Sequence, residues 1–293
     1  MKGEGILVAP HGLRDRFRHS PFFPLVRKRR FHAYCVGGPK TGTTSLAYLF
    51  QDNYRAAHEP LHAGTMEQVL ATFDKSEGRA ERDRYLRWRD RELYLEMESS
   101  HLAAAFVESL VELFPTSRFI LTVREPRSWL NSMLTQQLNG REQWARQTAP
   151  GPRAEFFPAL HRHLLGGEQH RRWPGEEVLE EHALYPLDAY LAWWADHNRG
   201  VLQAVPRERL LVLPTSSISR ETSLIAEFVG VPIASLSRRG EHSNRAPKKH
   251  QLVDRIDPSL LADRIAHQCT STSDLIRQAL PIGIRMDDPG ICR

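Results

Sequence analysis

Residues 33–50, Ala-Tyr-Cys-Val-Gly-Gly-Pro-Lys-Thr-Gly-Thr-Thr-Ser-Leu-Ala-Tyr-Leu-Phe, constrain this chain more than any other stretch. They read as a buried strand (33–36), a tight loop (37–42) and a helix opening at Thr43. A loop of this kind at a helix start is an anion site. Unpaired backbone N–H groups and the positive end of the helix dipole point at one spot. Gly37, Gly38 and Gly42 let backbone come close to an anion. Lys40 adds a positive charge, and Thr43, Thr44 and Ser45 add hydroxyl donors.

The spacing nearly matches the nucleotide P-loop G-x-x-x-x-G-K-[ST], with Gly37 and Gly42 as its glycines. It departs where that motif needs its lysine. Thr43 stands there, and the lysine lies inside the loop at position 40. The run Pro39-Lys40-Thr41-Gly42-Thr43-Thr44-Ser45 resembles the 5′-phosphosulfate loop of sulfotransferases that use 3′-phosphoadenosine-5′-phosphosulfate (PAPS). That resemblance implies an α/β fold of three layers, a central parallel sheet flanked by helices, similar to P-loop proteins. It also implies that Gly38, Pro39, Lys40, Thr41, Gly42, Thr43, Thr44 and Ser45 hold the donor's 5′ end.

The rest of the chain fits such a sheet. Strands are expected at 54–57, 93–97, 118–123 and 209–213. Helices are expected at 43–52, 65–73, 79–91, 101–114, 179–205, 221–229, 259–268 and 273–279, with another starting at Glu125-Pro126. Strand–helix alternation argues for parallel strands with helices on both faces. Residues 1–30 read as a polar arm and 31–293 as one domain. Residues 140–177 break the pattern with Pro150, Pro152, Pro158, Pro174 and the pair Gly166-Gly167. They are expected to form a mobile insert or flap over the acceptor site.

Composition narrows the function. The chain has 293 residues, 41% hydrophobic, which suffices for one large α/β core. No apolar run is long enough to span a bilayer, and charges interrupt residues 1–30 where a leader would be apolar. A cytoplasmic protein is the expectation. Cys35, Cys269 and Cys292 have no metal-ligand spacing, and no metal is expected. The formal charge of +5 suits an anionic ligand. The one dense basic cluster, Arg27-Lys28-Arg29-Arg30, reads as a solvated lead-in to the first strand, so no nucleic-acid partner is expected.

A second element tests the resemblance. The family's 3′-phosphate motif has an arginine at a strand end and a serine eight residues on. Arg124 and Ser132 stand at that separation. Arginine holds phosphate through two parallel N–H bonds, and a cation there repels the magnesium that a nucleotide triphosphatase would need. Asn244, Arg245, Lys248 and Lys249 resemble the basic loop that closes over the nucleotide in many members. The implied activity is sulfuryl transfer from PAPS to a hydroxyl or amine, leaving 3′-phosphoadenosine-5′-phosphate (PAP). Lys40 is expected to stabilise the leaving oxygen. Glu59 is the first candidate for the base, with His58 and His101 as rivals. A P-loop kinase or other nucleotide-using phosphotransferase is the alternative. The acceptor is open among small molecules, glycans and natural products, no membrane partner is expected, and a homodimer is compatible with the chain.

Overall fold

Five short strands form one sheet: β1 (Ala33–Cys35), β2 (Ala56–His58), β3 (Met97–Ser99), β4 (Arg118–Val123) and β5 (Leu210–Pro214). Their order is β2-β3-β1-β4-β5, and every pair is parallel. The computed structural model describes residues 28–74, 78–145, 153–166, 170–237 and 250–286. Helices in chain order are α1 (Thr43–Phe50), α2 (His62–Phe73), α3 (Arg79–Leu93), α4 (Val107–Leu113), α5 (Pro126–Ala145), α6 (Arg153–Leu165), α7 (Glu177–Glu181), α8 (Leu187–Ala204), α9 (Thr222–Val229) and α10 (Pro258–Ala279). Among the described residues no helix is long and apolar enough to cross a membrane.

The three layers follow from the period-two alternation of the central strands. Tyr34, Phe119, Leu121 and Val123 face one core, with Trp129 and Leu130 of α5, Tyr190 and Trp194 of α8 and Ile276 of α10. Ala33, Cys35 and Ile120 face the other, with Leu46, Leu49 and Phe50 of α1 and Ile225 and Val229 of α9. Leu121 and Ile120 are both fully buried, on opposite faces. Truncating either to alanine would cost about 2–5 kcal/mol. The sheet is apolar on both sides, as a doubly covered parallel sheet must be.

The chain crosses from one half of the sheet to the other around β1. From β1 it runs through α1 to the edge strand β2, and β3 then pairs with β1 from that side. After β3 it passes to the far side of β1, where β4 and β5 follow. Open α/β sheets bind ligands outside the carboxyl ends of their strands at such a switch. The loops after β1, β2, β3 and β4 carry Lys40, Glu59, His101 and Arg124 there.

Several boundaries differ from the expectation, each for a local reason. The second strand begins at Ala56, and the third at Met97. Glu98 and Ser99 are therefore strand residues, because Ala57 and Glu98 pair in the ladder. The charged helix α3 runs on to Leu93 and stops at a left-handed Tyr94. The helix after Ser100 opens as a 3-10 turn, His101–Phe106, capped by the Ser100 hydroxyl accepting from Leu102 N–H at 3.2 Å. Pro186 splits the expected long helix of 179–205 into α7 and α8. The two weak C-terminal helices are one, α10. Asp257 caps it, accepting from Leu260 N–H at 2.8 Å, and Pro258 takes the first turn.

The largest difference lies in 140–177. Helix α5 extends to Ala145, and α6 occupies Arg153–Leu165 with Pro158 inside it. Leu160 and Leu165 of α6 are buried in the main core, so part of the expected flap is fixed structure. The proline and glycine count overstated its irregularity.

Candidate functional site

The loop 37–42 owes its shape to packing as much as to ligand access. Gly42 has φ +92°, and a Cβ there would meet Ile218 Cδ1 at 2.6 Å. At Gly37 a Cβ would lie 1.9 Å from Thr122 Oγ1, so β4 itself excludes a side chain. At Gly38 a Cβ would be 3.3 Å from the Trp193 ring. Lys40 takes a left-handed φ of 65° between these glycines. The glycines expected to serve the anion thus also let the loop sit close against β4 and α8.

Hydrogen bonds from several elements hold the loop and the residues that flank it. Thr41 is buried, and its hydroxyl donates to Gly38 O at 2.7 Å, with Thr122 Oγ1 at 2.8 Å. That side chain serves the loop's own fold. Trp129 Nε1–H donates to Pro39 O at 3.0 Å. The Thr215 hydroxyl, just past β5, points at Thr41 O (2.8 Å) and Val123 O (3.0 Å). Ser99 Oγ–H donates to Thr43 O at 2.6 Å. Trp193 stacks on Trp129 with centroids 5.3 Å apart, and on the same helical face, one turn on, His197 donates from Nε2 to Val36 O at 3.0 Å.

This frame leaves a cationic corner. The first intrahelical bond of α1 is Leu46 N–H to Gly42 O, at 3.0 Å. The N–H groups of Thr43, Thr44 and Ser45 precede it and lack helical partners by construction. Arg124, at the end of β4, donates from Nη1 to Lys40 O at 3.4 Å and from Nε to Ser128 Oγ at 2.8 Å. Burial, and then the Arg124 charge, pull the Lys40 ammonium below its usual pKa. Two cations that disfavour each other at one place are what a polyanion would relieve. Glu125, next to Arg124, caps the helix that follows, α5. Its two oxygens accept from Arg127 N–H (2.9 Å) and Ser128 N–H (2.8 Å). Ser132 lies one turn beyond Ser128 on α5, on the same side.

The second centre lies beside it. Glu59 follows β2 with a left-handed φ of 48°, and Leu61 has φ 51°. Each such non-glycine residue costs about 1–3 kcal/mol, so the surroundings must impose the kink. Its result is a carboxylate ringed by imidazoles. Glu59 Oε1 is 2.7 Å from His101 Nδ1 and 3.8 Å from His58 Nε2. Glu59 Oε2 is 3.3 Å from His62 Nδ1. Burial pushes the Glu59 carboxyl up, but His101, His62 and His58 together override it and hold it well below the usual carboxylate range. His58 Nε2 also lies 3.2 Å from the hydroxyls of both Thr43 and Thr44, bridging the two centres.

Two further histidines stand around His101. Burial, then the His101 charge, lowers His161 of α6 to about 4. Burial lowers His197 to about 4 as well, against the bond to Val36 O. Phe157 of α6 packs on His62 and His161, with centroids 5.6 and 6.0 Å away.

The structure therefore brings together Lys40, Thr43, Thr44, His58 and Arg124, and beside them Glu59 and His101. Ser45 is half-buried in the first turn of α1. Asn244, Arg245, Lys248 and Lys249 lie outside the described residues. Sequence reading passed over Ser128, Thr122, Thr215, Trp129 and His62. A pattern pointed to two of them. Ser128 sits halfway between Arg124 and Ser132 at helical spacing, and His62 is three residues after Glu59.

A family model described as a sulfotransferase domain matches residues 34–237. Among solved structures, the sulfotransferase from Alicyclobacillus acidocaldarius is 18% identical, with TM-score 0.46, over 86% of this chain and 97% of that one. The sulfotransferase domain from the curacin biosynthetic pathway is 12% identical, with TM-score 0.42, over 86% and 99%. That of the Synechococcus PCC 7002 olefin synthase is 14% identical, with TM-score 0.39, over 84% and 93%. Curated protein sequences give no match.

Proposed function

The chain belongs to the sulfotransferase family, and we propose that it moves a sulfuryl group from PAPS to a hydroxyl or amine of its acceptor by in-line displacement. One observation carries the reading: a cationic loop corner and a carboxylate–imidazole pair sit side by side, joined by His58. The donor supplies a sulfuryl group on a phosphosulfate anhydride. The acceptor's oxygen or nitrogen forms the new bond to sulfur. The bond from sulfur to the bridging oxygen breaks, and its electron pair leaves with the 5′-phosphate.

The protein's share is positioning, charge stabilisation and proton removal. The N–H groups opening α1, with the Thr43 and Thr44 hydroxyls, hold the 5′-phosphosulfate. Lys40 neutralises the charge gathering on the leaving oxygen. An arriving anion offsets the burial and the Arg124 charge that pull the Lys40 pKa below the usual value. Arg124 and Ser132 hold the 3′-phosphate, with Ser128 fixing the guanidinium through Nε.

His101 is the better proton acceptor of the pair. Glu59 is held well below the usual carboxylate range and both its oxygens face imidazoles, so it is a weak base. With Nδ1–H donated to Glu59, the His101 lone pair lies on Nε2. Glu59 fixes that tautomer and stabilises the imidazolium once the acceptor proton arrives. His197 and His161 stay neutral near pH 7 and do not compete for it.

Incubation with PAPS labelled in the sulfuryl group, across a panel of hydroxylated small molecules and glycans, tests the proposal. Label should pass to an acceptor, and His101→Gln should abolish the transfer while PAP binding persists. Consumption of ATP with magnesium, and no transfer of label, would overturn it.

A further inference from the structure

Arg89 is a buried arginine on a helix that is otherwise charged and solvated. In α3 only Leu86 and Arg89 are buried. The Arg89 side chain is 6% exposed and that of its partner Glu98 is 7% exposed. Arg89 Nη1 donates to Glu98 Oε2. Nη2 donates to Pro60 O at 2.9 Å, and Nε to Thr65 Oγ1 at 3.2 Å. One planar group thus ties β3 to the residue between the two left-handed positions, Glu59 and Leu61.

A buried ion pair is weak evidence for stability, since a well-packed apolar pair commonly does as well. Direction is what the guanidinium supplies. Its fork fixes the Pro60 carbonyl in a plane, which a lysine or an apolar side chain does not do. The remaining anchors belong to the same kink. Glu59 N–H donates to Ser99 O at 3.0 Å, and Thr65 N–H to Leu61 O at 2.9 Å. Glu98 reaches Arg89 from the strand paired with β2, opposite Ala57. Strain in the kink, its buried clamp and the carboxylate it aims form one continuous chain of contacts.

We propose that Arg89, locked by Glu98, is a positioning residue for Glu59, holding the 59–61 kink in the form that turns the carboxylate onto His101. The role deepens the proposed function, because it assigns the geometry of the pair that removes the acceptor's proton.

The test reads that geometry without donor or acceptor. The His101 Nδ1 proton, which bonds to Glu59 at 2.7 Å, is followed by NMR, its resonance assigned by loss in His101→Gln. Glu59→Gln sets the scale, since it removes the carboxylate that draws this proton downfield. Arg89→Lys keeps a cation for Glu98 but loses the fork. Arg89→Met combined with Glu98→Leu removes both buried charges together. Each should move the Nδ1 proton upfield by at least half the Glu59→Gln change, leave PAP affinity within twofold, and add little to Glu59→Gln when combined with it. An unmoved Nδ1 proton in either folded variant overturns the proposal. Loss of the folded state in both assigns the pair to the scaffold and overturns it too. Failure of the sulfuryl-transfer reading would show separately, as absent label transfer by the unmodified enzyme.

Discussion

The loop after β1 and the kink after β2 lie side by side but are built in opposite ways. The loop is made of consecutive residues, 37–45, and the donors it is proposed to offer an anion are largely backbone N–H groups. The kink gathers side chains from distant segments: Glu59, His62, Arg89, Glu98 and His101. An anion can be held by local backbone geometry. Proton transfer needs an imidazole and a carboxylate placed within hydrogen-bond reach, which only tertiary structure provides. The first kind of site is written in one motif. The second is spread across the ends of β2 and β3 and the helices α2 and α3.

Substitutions should separate the two regions, and the largest effect should fall on the kink side. His101→Ala should lower turnover by about 10²–10⁴-fold, with PAP affinity unchanged within twofold by calorimetry. Equal losses in turnover and PAP affinity would merge the two regions and break the comparison. Arg124→Ala should show the reverse pattern. Loss of its charged contacts, about 1.5–3 kcal/mol each, should weaken PAP binding by roughly 10–100-fold, and saturating donor should recover most of the turnover.

Stability sharpens the contrast further. His197 has its folded pKa near 4, below the unfolded value of 6.5. Its contribution is full above pH 6.5 and is lost as the pH falls toward 4, by up to about 3 kcal/mol. His197→Gln should flatten that part of the stability–pH curve in urea titrations. Glu59 acts at lower pH. Its folded pKa is depressed below the ordinary value of 4.5, so its contribution is present above that value and lost as the pH falls through the folded one. Glu59→Gln should alter the acid transition and leave the curve above pH 6.5 parallel. The smallest effect belongs to Gly38→Ala. The Trp193 ring at 3.3 Å need only give slightly, so stability should fall by less than about 1 kcal/mol. Gly42→Ala, with its positive φ and Ile218 at 2.6 Å, should cost more, about 1–3 kcal/mol.

The same contrast explains how much could be read from the sequence. The parallel sheet, the loop and Arg124 were legible because each is a local pattern: an apolar run, a glycine spacing, an arginine at a strand exit. Glu59 and His101 were legible only as a set of rivals, since no spacing reveals that residues 42 apart share a 2.7 Å contact. Arg89 was hidden in a densely charged helix, where charge normally means solvent. The helix α6 was hidden by its prolines and glycines, because burial of Leu160 and Leu165 outweighs Pro158. The inward turn of Thr41 was hidden by its place in the motif, since Thr122 on β4 decides it.

The most direct test is a thermal-shift titration with PAP beside ADP and magnesium–ATP, on the unmodified protein and on Arg124→Ala. A ligand bound only by the native state at one hundred times its Kd adds about 2.7 kcal/mol, which for a chain of this size raises Tm by roughly 4–5 °C. The 3′-phosphorylated nucleotide should give that shift, ADP should give far less, and Arg124→Ala should lose it. No response to PAP, or an equal response to magnesium–ATP, would contradict the account and return the loop to the nucleotide-triphosphate reading.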